Sequence, residues 1–366
     1  MIEAPSMQKL DQDIRASIDA DRDVLEQMRK DVRLLKDATR IIHPRTATAI
    51  SLVATDGGYN RFRFDPFLIQ LIRVVDSSEN EYCLEVVARN TSLEALNQRH
   101  LNEDGSGRTA LGRMMEFLGL RTISDLSPVF KNLDPSWVSV YREVTEWAVL
   151  LSLVRDKDFG TDTVILCDGL LRSKMFSGDL FGRYRRGLEL AIKQQFEKHR
   201  RRIYVAGIAK RSSVLQTYRL ALALEGVMRT TYPCYVEVPM NIEERVYQWD
   251  EYLKRDDKFV AGKMFLAKFG QGPYDPIWAV DLFLSQKADA ASTFGFLLQD
   301  AKDGFPVPLY PQCLQKAHEH AALTAFDMRL LEDTILQAMR ENLDDKKGIL
   351  EELALQPTDP ASARYR

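Results

Sequence analysis

Two aspartate–glycine steps follow apolar runs in this chain: residues 51–55 lead into Asp56-Gly57-Gly58, and residues 164–167 into Asp168-Gly169. A carboxylate at the end of a strand is held by a rigid scaffold, and the glycine behind it lets backbone and ligand approach closely. Hard cations such as Mg²⁺ and Mn²⁺ take oxygen ligands of this kind. A single Asp-Gly is an ordinary turn signal. Two of them, each after a buried strand and far apart in the chain, point to one shared metal site. A third carboxylate lies in the helical stretch 137–154. Its apolar face runs through Val140, Val144, Trp147, Leu151 and Val154, and Glu143 and Glu146 sit three apart at the margin of that face. Either glutamate can point into a site or cap the edge of the core.

These groups need a scaffold, and the hydrophobic pattern supplies one. Residues 7–42 carry apolar positions at intervals of three, four and seven, which predicts a long amphipathic helix. His43-Pro44 stops it. Residues 47–55, 62–76 and 81–89 read as successive strands, with 76–80 as a turn, an antiparallel meander. Residues 91–118 read as helix broken at 103–107. Strands at 163–167 and 202–208 then alternate with helices at 184–200 and 215–226, which implies a parallel part of the sheet. Residues 235–238 and 277–284 add strands, and 317–342 reads as a long helix. A meander continued by strand–helix units fits an α/β, RNase H-like mixed sheet flanked by helices. The expected organisation is a helical arm over 1–43, a main domain over 44–342 and a polar tail over 343–366.

A chain of 366 residues with 45% hydrophobic content can bury a sizeable core. Its net charge of −3 advertises no polyanionic partner, but residues 172–211 hold twelve Lys/Arg against three Asp/Glu. A basic stripe on a mildly acidic protein is the expected footprint of phosphate contact. The four cysteines are widely separated, with no Cys-x-x-Cys pair, and read as buried thiols of a reducing compartment. No signal-peptide core and no apolar run of membrane-spanning length is present, so a cytoplasmic protein without membrane contact is expected. No GxxxxGK[ST] pattern occurs, so any ATP-driven motion must come from a partner.

On these residues the chain resembles the NurA nucleases, partners of HerA-type hexameric ATPases in DNA end processing. Asp56-Gly57-Gly58 matches that family's opening strand, and Asp168-Gly169-Leu170-Leu171 matches its Asp-Gly-x-Leu strand end. The family's helical glutamate precedes an apolar stretch, as Glu146 does, with Glu143 the alternative. Residues 205–213, a strand followed by Lys210 and the pair Ser212-Ser213, resemble the family's strand followed by a Lys and a Ser. Tyr310-Pro311, Leu314, Ala317 and His318 keep the spacing of the family's Tyr-Pro-x-x-Leu-x-x-Ala-His. Leu309 stands where the family has glycine, and Gly304-Phe305-Pro306 is a second way to align that motif. The resemblance spans about residues 47–325.

The resemblance implies a Mn²⁺- or Mg²⁺-dependent DNA nuclease of RNase H-like fold, acting as a homodimer on a HerA-like ATPase in break repair or anti-phage defence. Phosphodiester hydrolysis needs an activated water, charge stabilisation on the phosphate and help for the leaving oxygen, which two metals roughly 3.5–4 Å apart supply. Asp56 is the expected bridge between ions, with Asp168 and Glu146 completing one position and His318 the other. Lys210 would hold the phosphate backbone without reading bases, and Tyr310 would position the phosphate or the water. Two other readings compete. A PD-(D/E)xK nuclease wants Glu-x-Lys, and Glu85-Val86-Val87 lacks the lysine. A non-catalytic scaffold could bind DNA and an ATPase ring.

Overall fold

The computed structural model describes residues 3–45, 48–54, 61–64, 67–88, 91–132, 137–247, 259–322 and 325–343. Asp56 and residues 344–366, most of the expected tail, lie outside the described residues.

The N-terminal amphipathic pattern folds as two helices, α1 (Ala4–Ala20) and α2 (Arg22–Asp37), not one. The break falls at Asp21, whose backbone (φ −88°, ψ 1°) leaves the helical region. On α1, Met7, Leu10, Ile14 and Ile18 are exposed, whereas α2 buries Val32 and Leu35. The next element is a two-residue strand, β1 (Arg40–Ile41). The strands of the expected meander follow as β2 (Thr48–Ala54), β3 (Arg61–Phe64), β4 (Phe67–Asp76) and β5 (Glu81–Ala88), but the single strand expected over 62–76 is two, β3 and β4, which pair with each other antiparallel. The turn expected over 76–80 is organised by Asp76, which accepts bonds from Ser78 N (2.8 Å), Asn80 N (3.1 Å) and the Tyr82 hydroxyl (2.6 Å).

Three helices, α3 (Leu93–His100), α4 (Ala110–Phe117) and α5 (Pro128–Asn132), precede the 20-residue α6 (Trp137–Asp156). Strand–helix alternation then begins: β6 (Thr163–Asp168), α7 (Leu180–His199), β7 (Ile203–Ala209), α8 (Ser213–Glu225), β8 (Cys234–Glu237) and α9 (Met240–Val246). The chain closes with β9 (Gly262–Lys268), β10 (Ile277–Phe283), α10 (Ala290–Ala301), α11 (Gln312–Ala321) and α12 (Ala325–Leu343).

The described strands form one mixed sheet in the order β1-β8-β9-β10-β7-β6-β2-β4-β3, with β5 on β4. Only β2–β6 and β6–β7 pair in parallel among them. These three central strands therefore deliver their C-terminal ends to the same edge, where an α/β sheet places its ligands. Helices cover both faces. Val164, Leu166, Ala206 and Ile208 pack with Phe294, Leu314 and Ala317 of α10 and α11. The alternate residues Ile165, Cys167, Ile203 and Val205 pack with Val144, Trp147 and Leu188 of α6 and α7. On the same side, α2 and α8 cover Val236, Met264 and Leu266. Arg29 and Arg33 of α2 clasp Glu225 of α8 at 2.6 and 2.8 Å.

Among the described residues all four cysteines are free, three of them buried. No helix described is long and apolar enough to cross a membrane.

Candidate metal and phosphate site

Alternation along the central strands decides which side chains meet. Asp168 follows Val164 and Leu166 on the α11 side of the sheet, and Lys210 follows Ala206 and Ile208 there. Asp168 pairs with Ile208, and Gly169 N donates to Ile208 O at 2.9 Å, so the chain leaves both strands at one level. On α11, Leu314, Ala317 and Ala321 are buried against the sheet, and His318 lies one turn from Leu314 on that face.

Four expected residues converge as a result. His318 Nε2 stands 3.1 Å from Asp168 Oδ2, and Lys210 Nζ stands 3.9 Å from the same oxygen. Lys210 Nζ also contacts His318 Nε2, and it lies over the Tyr310 ring, 5.6 Å from its centroid. One imidazole nitrogen therefore faces a carboxylate and an ammonium at once. It can donate its proton to Asp168 or offer a lone pair to Lys210, but not both. Asp168 is 30% exposed, so the cluster opens to solvent.

Electrostatics follow this geometry. Burial pushes the Asp168 carboxyl up, but the hydrogen bond and charge of His318, with the charge of Lys210, outweigh it and hold the group below the ordinary carboxylate range. Tyr310 is 1% exposed and packs edge-on against Trp278 at 4.8 Å. Its buried hydroxyl approaches the Asp168 carboxylate, without reaching full hydrogen-bond geometry to any group among the described residues. Burial and the nearby Asp168 charge push the phenol well above its usual range, so it keeps its proton. Phe305, the alternative position for the motif, is 76% exposed. Leu309, in the place of the family glycine, adopts φ 59°, the left-handed conformation that glycine favours.

The glutamates approach from the opposite layer. Glu146 on α6 is half-buried, and its charge is felt by Cys167, the residue before Asp168. Glu143 accepts a 2.5 Å bond from the Ser173 hydroxyl, and burial raises its carboxyl above the ordinary range. Asp56 lies outside the described residues. The strand leading toward it, β2, is paired in parallel with β6, Leu52 opposite Cys167. Among the described residues no group of three or more His, Cys, Asp or Glu side chains is arranged to hold a metal. Glu85, considered for the PD-(D/E)xK reading, takes the Tyr141 hydroxyl bond in a cluster with His100.

Two features escaped the sequence pattern. Arg172, counted in the basic run, is internal: it holds Asp281 of β10 at 2.8 Å and Glu243 at 2.7 Å. Asp281 also accepts from Leu171 N at 3.1 Å, which fixes the segment after Asp168. A lone aspartate in the buried strand 277–283 was the available signal, since buried charges need partners. Gly207 serves the same segment, because a Cβ there would stand 2.3 Å from Gly169 O. The rest of the basic run is divided. Residues 200–202 precede β7 and Lys210-Arg211 follow it, separated by a strand length of roughly 20 Å. The basic groups near the site are completed by Arg219 and Arg229, from outside that run.

No protein-family model and no curated protein sequence matches this chain. Among solved structures, a crystal structure of NurA with manganese aligns at 11% identity over 80% of this chain and 63% of that one, with a TM-score of 0.22. The chain is also similar to the crystal structure of the NurA nuclease from Sulfolobus solfataricus, 13% identical over 93% of this chain and 98% of that one, with a TM-score of 0.43.

Proposed function

We propose that this chain is a metal-dependent DNA nuclease of the NurA type, built on an RNase H-like sheet. The observation that carries the reading is the meeting of Asp168, Lys210, His318 and Tyr310 at the edge where the parallel strands end. Those residues come from three separate segments, Tyr310 and His318 sharing one, and all four belong to motifs that resemble that family.

The donor chemistry fits a Mn²⁺ or Mg²⁺ ion. Asp168 Oδ2 and His318 Nε2 lie 3.1 Å apart and both face the Lys210 ammonium, so a carboxylate oxygen and an imidazole nitrogen already attract one cation. Asp168 and His318 would hold the metal together with Asp56 and Glu146, Asp56 serving as the bridge if two ions bind. When bound, metal supplies an activated water and charge stabilisation on the phosphate. Lys210, displaced from His318, turns its ammonium to a non-bridging phosphate oxygen and holds the backbone without reading sequence. Tyr310, protonated and buried beside Asp168, would turn its hydroxyl hydrogen to the phosphate or to the attacking water. Asp168 stays ionised throughout the neutral range, as a ligand must.

The activity belongs to DNA ends or single strands. A homodimer docked on a HerA-like hexameric ATPase, in break repair or anti-phage defence, is the setting the motif resemblance implies. Cleavage of linear DNA with Mn²⁺ by wild type and by Asp168→Asn and Asp56→Ala tests the reading, with the protein alone and with a HerA-like ATPase. Cutting by wild type and by neither variant is expected. Equal cutting by all three overturns the site, and no cutting by wild type in either setting overturns the enzyme.

A further inference from the structure

A cavity of about 610 Å³ opens at the turn from β7 into α8, with Lys210 in its wall. That volume lies within the ~300–1,000 Å³ of small-molecule sites. Its walls carry Lys210, Arg211, Arg219 and Arg229 against one carboxylate, Asp275. Asp275 is engaged by Gly272 N at 2.6 Å. Among the described residues, Arg211, Arg219 and Arg229 have no carboxylate in an ion pair. Three such exposed guanidinium groups around one hollow give it a positive field that favours an anion. The first turn of α8 adds positive character, since Ser212 makes no side-chain cap bond to its free N–H groups.

The walls also suit a nucleoside. Tyr274 is 81% exposed, with the Arg229 guanidinium 5.3 Å from its ring centroid. An exposed aromatic backed by arginine is a stacking platform for a base. Leu215, Pro276 and Ile277 supply apolar surface beside it. Buried Lys268 donates to Thr230 O and to Gly272 O (2.8 Å for the latter). It thereby ties the loop carrying Arg229 to the loop carrying Tyr274, so the hollow is pre-organised.

We infer that this cavity receives the terminal phosphate and first nucleotide of a DNA strand, an inference that takes its substrate from the nuclease reading above. Lys210 belongs to both places: it lines the cavity and stands 3.9 Å from Asp168. A strand end seated on the arginines therefore leads its next phosphates onto Asp168 and His318. The arrangement makes the protein a reader of strand ends and sets how far from the end it cuts.

Binding of short fluorescent single-stranded oligonucleotides in EDTA tests this without cleavage. Three probes carry a 5′-phosphate, a 3′-phosphate or hydroxyls at both ends. One phosphorylated probe is expected to bind about tenfold more tightly than the hydroxyl probe, the worth of one charge-assisted contact. Arg219→Gln combined with Arg229→Gln removes that preference, and Tyr274→Ala weakens all three probes alike. Thermal melting of each variant confirms a folded protein, and Arg219→Gln alone serves if the double variant does not fold. Equal affinity for all three probes overturns the inference, as does a preference that survives in the folded arginine variants. End-selective binding by a protein that cuts nothing supports the cavity and overturns the nuclease reading, whereas cutting with no end preference does the reverse.

Discussion

His318 Nε2 lies 3.1 Å from Asp168 Oδ2, close enough for helix α11 and strand β6 to share a proton across the sheet edge. The contact keeps Asp168 below the ordinary carboxylate range in spite of its burial. A carboxyl with a depressed folded pKa stabilises the native state above its unfolded value, near pH 4, and loses that contribution as pH falls through the folded value. Asp168→Asn is therefore expected to melt below wild type at pH 7, with the gap closing as acid is added below about pH 4. The same variant is expected to lose metal-dependent cleavage about a hundredfold or more. Melting curves across pH, beside a nuclease assay at neutral pH, check both parts.

The two glutamates on α6 make opposite predictions. Burial raises Glu143 above the ordinary range, with Ser173 only partly offsetting it. A raised folded pKa means that stability is full below the unfolded value and declines as pH rises through the folded one. Glu143→Gln is expected to raise the melting temperature at pH 8 and to leave it unchanged below about pH 4, with Mn²⁺-dependent cleavage retained. Glu146, whose charge reaches Cys167 beside Asp168, is the proposed ligand. Glu146→Gln is expected to abolish cleavage. Loss of cleavage in Glu143→Gln with full activity in Glu146→Gln reverses the assignment.

Much of this architecture was legible because its signals were local. β6 and β7 are short buried runs bounded by polar residues, and α6 has a clear apolar face, so strand and helix period distinguished them. The meeting of Asp168, Lys210 and His318 was foreshadowed for the same reason, since each sits at a fixed step from such an element. Other features depend on tertiary partners. β9, over Gly262–Lys268, has no alternation because both of its faces are covered, and period 2 could not find it. The helix expected over 317–342 is two, α11 and α12, and α11 begins earlier, at Gln312 behind Pro311. Arg172 counted as surface charge in the sequence, yet its partners Asp281 and Glu243 lie 109 and 71 residues away.

That buried arginine yields a third prediction. Arg172 and Asp281 are 5% and 0% exposed, and the aspartate also holds Leu171 N. Asp281→Ala takes one carboxylate from the buried guanidinium and frees the segment behind Asp168. Breaking a buried pair from one side costs about 3–5 kcal/mol, whereas replacing both members with apolar groups of similar volume costs far less. Urea denaturation is expected to show that loss for Asp281→Ala and a substantial recovery for Arg172→Met combined with Asp281→Leu. The double variant still lacks the bond to Leu171 N, so its cleavage is expected to stay low although its stability returns.

Leu309 offers a test of backbone chemistry next to Tyr310. Its φ of 59° places a branched side chain in the left-handed region, which costs roughly 1–2 kcal/mol for a residue other than glycine. Two compensations hold it there. Its carbonyl accepts the Trp278 indole N–H at 2.8 Å, and its side chain packs on the cluster beneath α11. Leu309→Gly relieves the backbone but gives up the packing, so its stability is expected to stay within about 1 kcal/mol of wild type. Leu309→Ile keeps the apolar bulk and adds a β-branch to a positive φ, which such residues avoid. It is expected to lose about 1–3 kcal/mol and to displace the Tyr310 hydroxyl, lowering cleavage as well. Denaturation curves that rank isoleucine above glycine at this position would show that packing, not backbone conformation, sets the place of Tyr310 beside Asp168.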